Sequence, residues 1–348
     1  MKKVFASKAA DIMQRGGDGA VSKGEGVLES GGREVLWGEV YDRLSQALER
    51  EGGVGELLAV LRQMGEVASL EFLRDLGRAE WKVSPLDRAR VLGRLLCVCS
   101  QDRGEVWVEP ILEGLVLLGG EAVLPLLELF ELEDSLIWDY VSSVILEMGE
   151  VVLPKLVASL ESPNAHVRAG GCYLLAEMGR GAKEALFALS QRVCDRDRRV
   201  RQGAVYAISE IGGSLRGGES SEELDRFVVA CLSQGLQDRD WLVRYYGVRG
   251  FGRLGSRARE GLGALILAFE DEEAGVRQGV IEALEWVVEE RKDFVAVRGI
   301  LCRALEDRDS LVRQAAGRVF ERLDGSFKGG VDEVAGRGGG VEGIRDNL

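Results

Sequence analysis

The side chains that most often carry out chemistry are scarce in this chain, and their spacing does not fit the common sites. His166 is the only histidine, which excludes a metal centre with two or more histidine ligands. Cys97 and Cys99 are one residue apart, too close for a zinc knuckle, and no second cysteine pair lies nearby. We therefore predict no metal site. We interpret His166 as a solvated residue at a helix start and the two cysteines as core residues.

Glycine and carboxylate clusters do not build a recognisable site either. The glycines at 119–120 and 338–340 lack the Lys-Ser/Thr pair of a phosphate-binding loop, and no strand pattern accompanies them, as a dinucleotide fingerprint requires. Carboxylate pairs such as Glu272 and Glu273 are predicted at turns, where they are solvated. The sequence therefore predicts no catalytic residues and no cofactor.

Length and composition favour an elongated helical array over two compact domains. The 348 residues are 46% apolar, 30% charged and 6% aromatic, with only five prolines and no threonine, so turn and strand signals are weak. Ser7 and Lys8 interrupt the N-terminal apolar run before a signal-peptide core can form, and no apolar stretch approaches the length of a membrane helix. The six cysteines are scattered. We expect a cytoplasmic protein without membrane contact or a disulfide framework.

A Val-Arg pair that recurs at nearly constant spacing reveals an internal repeat. Two degenerate copies, with Ile137 and Trp107 in the valine position, extend the series backwards. The clear copies, at spacings of 33, 43, 33 and 36 residues, are Val167-Arg168, Val200-Arg201, Val243-Arg244, Val276-Arg277 and Val312-Arg313. Apolar residues follow each valine at helical intervals, so each pair is predicted to lie near the start of an α-helix.

Residues at fixed distances from the valine predict where this first helix begins and ends. Three residues before it stands an acidic or amide side chain, mostly of the types that cap helix starts: Asp134, Asn164, Asp197, Asp240, Glu273 and Asp309. Twelve residues after it stands a glycine that can end a helix in the left-handed conformation: Gly119, Gly149, Gly179, Gly212 and Gly255. A second apolar helix follows. Such helix pairs bury their apolar faces only by stacking, so the sequence predicts an all-α fold, a right-handed α-solenoid of two-helix repeats.

The arginine of each pair has two possible uses. It can pair with acidic residues at its own helix start or in the next repeat's turn, or a row of such arginines can bind phosphates. We favour the structural use, a ladder that comprises Arg168, Arg201, Arg244, Arg277, Arg313, Asp197, Asp240 and Asp309. These side chains are then engaged in contacts within the fold, and they are not predicted to bind a partner.

An acidic turn, Val-Arg, a small residue, apolar spacing and glycine together resemble the short HEAT-like repeats named after the phycobilisome lyases. The resemblance covers residues 104–324. It implies an armadillo-type superhelix whose relatives include scaffolds, lyase or chaperone-like subunits acting on phycobiliproteins, and DNA glycosylases with a basic groove. The net charge of −13 argues against nucleic-acid binding, and nothing in the sequence singles out a bilin site.

Sequence patterns also predict the ends of the array and one insertion. Residues 1–33 and 325–348 carry glycine clusters with few apolar anchors, so both are predicted to be disordered. Residues 34–103 are interpreted as diverged, helical capping repeats ahead of the array at 104–324. The longest unit has extra residues near 212–222, which we expect to project as a loop close to a binding face.

Functional evidence is concentrated where the repeat pattern breaks. Residues 104–163 contain twelve acidic residues against one basic residue, Lys155, whereas residues 164–324 are nearly balanced. This acidity either attracts a basic partner surface or serves solubility alone. Aromatic residues after the insertion either plug a gap or form an exposed anchor. The candidate partner-binding residues are Glu128, Glu131, Glu133, Asp134, Asp139, Trp241, Tyr245, Tyr246, Arg249 and Arg253.

The hypothesis that follows is a non-catalytic interaction scaffold or adaptor that binds a protein partner on the solenoid surface. A partner with a basic surface fits the acidic early repeats, and a nucleic-acid partner does not. The alternative is a phycobilin lyase-like or chaperone-like subunit that acts on a chromophore-bearing protein. The sequence leaves the oligomeric state open.

Overall fold

The computed structural model describes residues 40–42, 59, 61–62, 66–78, 84–101, 105–215 and 217–328. The chain divides into two compact units, Met1–Glu56 and Leu57–Leu348, and only the helical residues 40–42 represent the first of them. All helices named below belong to the second unit. The disorder predicted for residues 1–33 and 329–348, and most of the capping region predicted before residue 66, lie outside the described residues.

The described part of the second unit consists of helices joined by short turns and contains no strand. Helices α1 (Glu66–Asp75) and α2 (Pro85–Gln101) precede the array. The first helices of the successive repeats are α3 (Glu105–Leu118), α5 (Ser135–Glu147), α7 (Ala165–Met178), α9 (Arg198–Ser214), α11 (Trp241–Leu254), α13 (Ala274–Val287) and α15 (Ser310–Lys328). The second helices are α4 (Val123–Glu128), α6 (Leu153–Ser159), α8 (Leu186–Arg192), α10 (Glu222–Gly235), α12 (Leu262–Leu267) and α14 (Arg291–Ala304).

This architecture confirms the predicted all-α solenoid of two-helix repeats, while the right hand of the superhelix stays a prediction. One predicted boundary is wrong. Residues 325–328 belong to α15 rather than to a disordered tail. Leu323, near the end of that helix, is buried, and this anchor keeps the last turns of α15 on the array.

From α7 onward, consecutive first helices pack closely side by side and form the core of the array. The valine positions lie in this core, and every one of them from α5 onward is buried: Ile137, Val167, Val200, Val243, Val276 and Val312. Small residues let the helices approach closely. A Cβ atom at Gly203 would lie 2.9 Å from the Cβ of Cys172 on the neighbouring helix α7. A larger side chain there would push α9 away from α7.

The first helices begin at the predicted capping residues. Each capping side chain accepts a hydrogen bond from a free backbone N–H group in the first turn. These caps are Asp134, Asn164, Asp197, Asp240 and Asp309. Glu273 precedes α13 but its side chain makes no capping bond, so the capping prediction is wrong there.

Most of the predicted glycines end their helices in the left-handed conformation. Gly119, Gly149, Gly179 and Gly255 have φ values between 54° and 71°, and each opens a short 3₁₀ segment that leads into the second helix. The prediction is wrong for Gly212, which lies inside α9 because that helix continues to Ser214. A Cβ atom at Gly212 would lie 2.8 Å from the side chain of Val228, so close packing against α10 explains this glycine.

The extra residues near 212–222 lengthen two helices instead of forming a long projecting loop. Helix α10 has 14 residues, whereas α6 and α8 have seven each. Arg257 holds the described part of the connection between α9 and α10. It donates hydrogen bonds to the side chains of Ser220 and Asp225 and to the carbonyl of Gly212. The predicted loop is therefore a short connection anchored on the array.

From α7 onward, largely buried Arg–Asp pairs join successive repeats at the turns. Nε and Nη2 of Arg168 donate to the two carboxylate oxygens of Asp195 at 2.9 and 2.8 Å. The same bidentate geometry recurs in three further pairs, Arg201–Asp238, Arg244–Asp271 and Arg277–Asp307. Nη1 of each arginine donates to two carbonyl groups of the turn before its own helix. Each guanidinium therefore ties two successive turns together.

The carboxylates of this ladder lie two residues before the positions that the sequence predicted. Asp197, Asp240 and Asp309 are helix caps, and the arginines bind Asp195, Asp238 and Asp307 instead. The earlier position faces the arginine of the preceding repeat, and its carboxylate also accepts the backbone N–H of the capping residue. Arg313 belongs to the last described repeat. It donates to two turn carbonyl groups and is exposed, with no carboxylate partner among the described residues.

The ladder predicts a local loss of stability when one carboxylate is neutralised. Asp307→Asn leaves Arg277 buried without its counter-charge, and breaking a buried pair costs about 3 kcal/mol. We expect backbone amides of α15 to exchange on the order of a hundredfold faster with deuterium, with α7 and α9 unchanged. The matched control is Glu270→Gln, which removes the exposed Arg303–Glu270 pair and should cost less than about 1 kcal/mol. Equal effects of the two changes would contradict the prediction.

The same pair predicts a pH dependence. The hydrogen bonds from Arg277 lower the pKa of the Asp307 carboxyl below its ordinary value of 3.8. A lowered pKa in the folded state means that the stabilisation is complete above about pH 4 and is lost as the pH falls below it. The difference in α15 exchange between wild type and Asp307→Asn, corrected for intrinsic rates, should be constant from pH 7 to 5 and narrow below pH 4. A gap that is unchanged at pH 3 would count against this assignment.

Candidate functional site

Aromatic side chains from four consecutive first helices, and one from the segment before α5, form a continuous row across the array. The row consists of Phe130, Trp138, Tyr173, Tyr206, Tyr246, Tyr245 and Trp241, and we call it the aromatic stripe. The centroids of neighbouring rings are 4.8 to 6.5 Å apart, the range of favourable ring contacts. Because the first helices are stacked, the stripe runs across them along the array.

The repeat pattern positions most of these rings. Tyr173 and Tyr206 lie six residues after the valines of α7 and α9, so both emerge from the same face of neighbouring helices. Tyr246 occupies the place that Gly170 and Gly203 hold in the earlier helices. Its ring lies 5.1 Å from that of Tyr206. A glycine that permits close helix packing in two repeats is thus replaced by a ring that extends the stripe.

The aromatic residues after the insertion do not plug a gap that the insertion opens. Helices α9 and α11 run side by side in the same direction, since Gln202 contacts Asp240 near their starts and Gly213 meets Arg253 near their ends. The extra residues lie at the end of α9 and in its connection to α10, whereas Trp241 opens α11. Of the two interpretations, the anchor agrees better with the structure, because Trp241 is 48% exposed and lies at one end of the stripe.

A pocket opens at the other end of the stripe, and we call it the Trp138 pocket. It has a volume of about 370 Å³, near the lower end of the range for ligand sites, so it suits one long side chain. Phe130, Trp138 and Tyr173 supply its aromatic walls, and Glu133, His166 and Arg199 its charged or polar rim. The indole N–H of Trp138 is buried and has no acceptor among the described residues.

Glu133 and Arg199 determine the charge of this pocket. Nη1 of Arg199 lies 3.5 Å from a carboxylate oxygen of Glu133 and 3.2 Å from Nε2 of His166. Arg199 also donates two hydrogen bonds to Asp197, which lower the pKa of the Asp197 carboxyl to about 2 and raise that of Arg199. The charge of Arg199 is therefore neutralised mainly by Asp197, and the contact with Glu133 is longer than a hydrogen bond. His166 is a wall of the pocket rather than a freely solvated residue.

Ionised groups also line the middle of the stripe. Burial and the carboxylates of Glu210 and Glu177 raise the pKa of the Tyr206 phenol. Arg253 pairs with Glu210 at 2.7 Å, and Arg249 lies 6.0 Å above the ring of Tyr245, within the range of a cation–π contact. Carboxylates therefore flank the Tyr173 and Tyr206 part of the stripe, and arginines flank its Tyr245 end.

The structure brings some predicted partner-binding residues together and separates others. Trp241, Tyr245, Tyr246, Arg249 and Arg253 lie along one end of the stripe, and Glu133 lies at the pocket. Asp134 is used as the cap of α5. Glu128 and Glu131 are exposed in or just after the second helix α4, and Asp139 is exposed on α5. The predicted acidic surface is thus spread over several faces, with only Glu133 at the pocket.

Sequence reasoning missed the rings that make the stripe continuous, which are Phe130, Trp138, Tyr173 and Tyr206. It also missed Arg199 at the pocket. A signal for two of them was present, because tyrosine recurs at the sixth position after the valine in successive repeats. Trp138 gave no such signal, since it occupies a different position in its repeat. Among the described residues no group of three or more histidine, cysteine or carboxylate side chains is placed to hold a metal ion. No described helix is long and apolar enough to cross a bilayer.

Comparisons with known proteins agree with this architecture. Residues 229–321 match the family described as HEAT repeats, in agreement with the resemblance that the Val-Arg pattern predicts. The search of curated proteins gave no match. Among solved structures, Cex1p shares 16% sequence identity at a TM-score of 0.50, over 80% of this chain and 57% of Cex1p. That likeness shows the fold alone.

Two further similar structures are repeat proteins with lower scores. The CpcE–CpcF complex of phycocyanin lyase from Nostoc sp. PCC7120 shares 21% identity at a TM-score of 0.41, over 47% of this chain and 97% of that chain. Computationally designed armadillo repeat proteins for modular peptide recognition share 16% identity at a TM-score of 0.44, over 66% of this chain and 98% of that chain.

The charges along the stripe predict a change in the titration of Tyr206. Glu210→Gln removes a carboxylate that raises the pKa of this phenol, and it frees Arg253, which lowers it. We expect the pKa of Tyr206 to fall but to stay above the ordinary value of 10.0, because burial remains its main cause. The measurement is a ¹³Cζ-tyrosine NMR titration from about pH 8 to 12. Glu306→Gln, in the turn before α15, is the control, and an equal shift in both variants would refute the assignment.

Proposed function

We propose that this chain is a scaffold that binds an extended segment of a protein partner along the aromatic stripe. The observation that carries the proposal is the continuity of the stripe, which crosses four helices of a repeat array and ends in a pocket at one side and the exposed Trp241 at the other. Tyrosine, tryptophan and arginine dominate the binding energy of protein interfaces, and all three are gathered here.

The spacing of the rings supports an extended ligand. From Trp138 to Tyr246 the centroids are 5.1 to 6.5 Å apart. In an extended chain, side chains on one side repeat about every 6.5 to 7 Å. Alternate side chains of a partner segment can therefore each come close to one ring of the stripe.

The partial burial of the rings supports the same use. Trp138, Tyr173, Tyr206 and Tyr246 are half-buried, so the packing of the array fixes their positions while one part of each ring stays accessible. Rings that are held in place lose little side-chain entropy when a partner binds. An isolated exposed ring such as Phe187, which is 71% exposed on α8, lacks these neighbours.

A peptide library displayed on phage and selected on the intact chain tests the proposal. We expect enriched peptides whose affinity falls at least about tenfold in the double variant Tyr173→Ala with Tyr206→Ala, because two central rings are removed. Phe187→Ala, which removes an exposed ring outside the stripe, should change the affinity less than about twofold. Circular dichroism must show that both variants keep the helical fold. The proposal fails if no peptide is enriched, or if Phe187→Ala weakens binding as much as the double variant does.

A further inference from the structure

We propose that the Trp138 pocket binds an arginine side chain of the partner segment. This inference rests on the proposed function, since it assigns one residue type of the partner to one end of the aromatic stripe. The walls of the pocket are the rings of Phe130, Trp138 and Tyr173. Aromatic faces carry partial negative charge, and a planar guanidinium stacks on them more favourably than an ammonium group does.

Glu133 supplies the counter-charge. It has a φ of 52° and is the only residue other than glycine with positive φ in the part of the chain that the structure describes. This conformation follows the 3₁₀ segment Leu129–Leu132 and precedes the cap of α5. The carboxylate stands at the pocket mouth with 71% of its side chain exposed. An unfavourable backbone conformation is retained where the surrounding structure imposes it, often at binding sites.

The pocket contains a cation of its own, and its pairing explains why a second cation can enter. Arg199 is bound to Asp197 by two hydrogen bonds, while its distance of 3.5 Å to Glu133 is long. A guanidinium from a partner can make a bidentate contact with Glu133 that Arg199 does not make. Arg199 then keeps its pairing with Asp197. Binding therefore does not leave a buried charge without a partner.

The electrostatic field of the neighbouring repeats also favours a cationic ligand. Residues 104–163, which supply α3 to α6 and the Glu133 side of the pocket, contain twelve acidic residues and one basic residue. At the other end of the stripe stands Arg249, above the ring of Tyr245, whereas Arg253 is paired with Glu210. This polarity predicts that the arginine of the partner segment lies at the Trp138 end, and it fixes the direction of the bound chain.

Nuclear magnetic resonance with a small probe tests the pocket separately from the whole stripe. N-acetyl-arginine methylamide is titrated into the ¹⁵N-labelled intact chain at constant ionic strength, and the indole N–H signal of Trp138, assigned with Trp138→Phe, is followed. The neutral isostere N-acetyl-citrulline methylamide is the matched probe. We expect the arginine probe to shift this signal with an affinity at least about fivefold higher than that of the citrulline probe.

Two variants separate a cation site from an anion site. Glu133→Gln should weaken binding of the arginine probe about threefold, and Arg199→Gln should strengthen it about twofold, because it removes the competing cation. The inference is overturned if the citrulline probe binds equally well or if neither probe shifts the signal. It is also overturned if N-acetyl-glutamate methylamide binds more tightly and loses affinity in Arg199→Gln, since the pocket would then take an anion.

The outcome is distinguishable from that of the proposed function. Selected peptides that depend on Tyr173 and Tyr206 but contain no arginine would leave the scaffold standing and remove the arginine assignment. A pocket that prefers the arginine probe, in a chain that enriches no peptide, would remove the extended partner and keep the pocket.

Discussion

The bidentate pair between an arginine near the start of one helix and an aspartate in the next turn is the interaction on which this array depends. Most contacts of a repeat are with its nearest neighbours, so distant parts of the chain contribute little to correcting an error in stacking. The arginine donates to its own turn and to the next one at once, which fixes the offset between repeats as well as their contact. Both partners of the Arg168–Asp195 pair are about 5% exposed. A buried charge without its partner is costly, so other offsets between neighbouring repeats are disfavoured.

The fixed offset between repeats also determines where surface side chains lie relative to one another. Where neighbouring first helices pack side by side, a residue type that recurs at one position of the repeat forms a row across them. Tyr173 and Tyr206 form such a row because they stand six residues after their valines. Tyr246 and Trp138 extend the row from other positions in their repeats. Rings at different repeat positions can therefore contact each other when the helices that carry them are fixed. The ladder and the stripe use different side chains, so changes in the stripe need not alter the stacking.

The sequence predicted the features of the fold that repeat locally and missed those that depend on contacts between repeats. The valine core, the caps Asp134 and Asp240 and the left-handed Gly149 each follow from a residue type and a distance along one helix. The partner of Arg168 does not, because Asp195 and Asp197 are both acidic and two residues apart. Only the facing geometry of two turns separates their roles. Gly212 likewise has the spacing of a glycine that ends a helix, and only its packing against α10 shows its actual role. Trp138 is part of the stripe because its ring contacts rings from other segments.

Charged residues that stabilise the fold differ from the charged residues near the stripe that a partner can contact. The four ladder arginines that bind aspartates are largely buried with them, and Asp134 is occupied as a cap, so neither group can attract a partner strongly. The carboxylates near the stripe are held differently. Glu210 pairs with Arg253, and burial raises the pKa of its carboxyl despite that pairing, while Glu133 stays exposed beside a cation that Asp197 already neutralises. A partner cation at Glu133 therefore gains a contact without breaking one that stabilises the array. The acidic residues of the early repeats add a long-range attraction for cations to that of Glu133. The aromatic rings beside Glu133 give the site a defined shape.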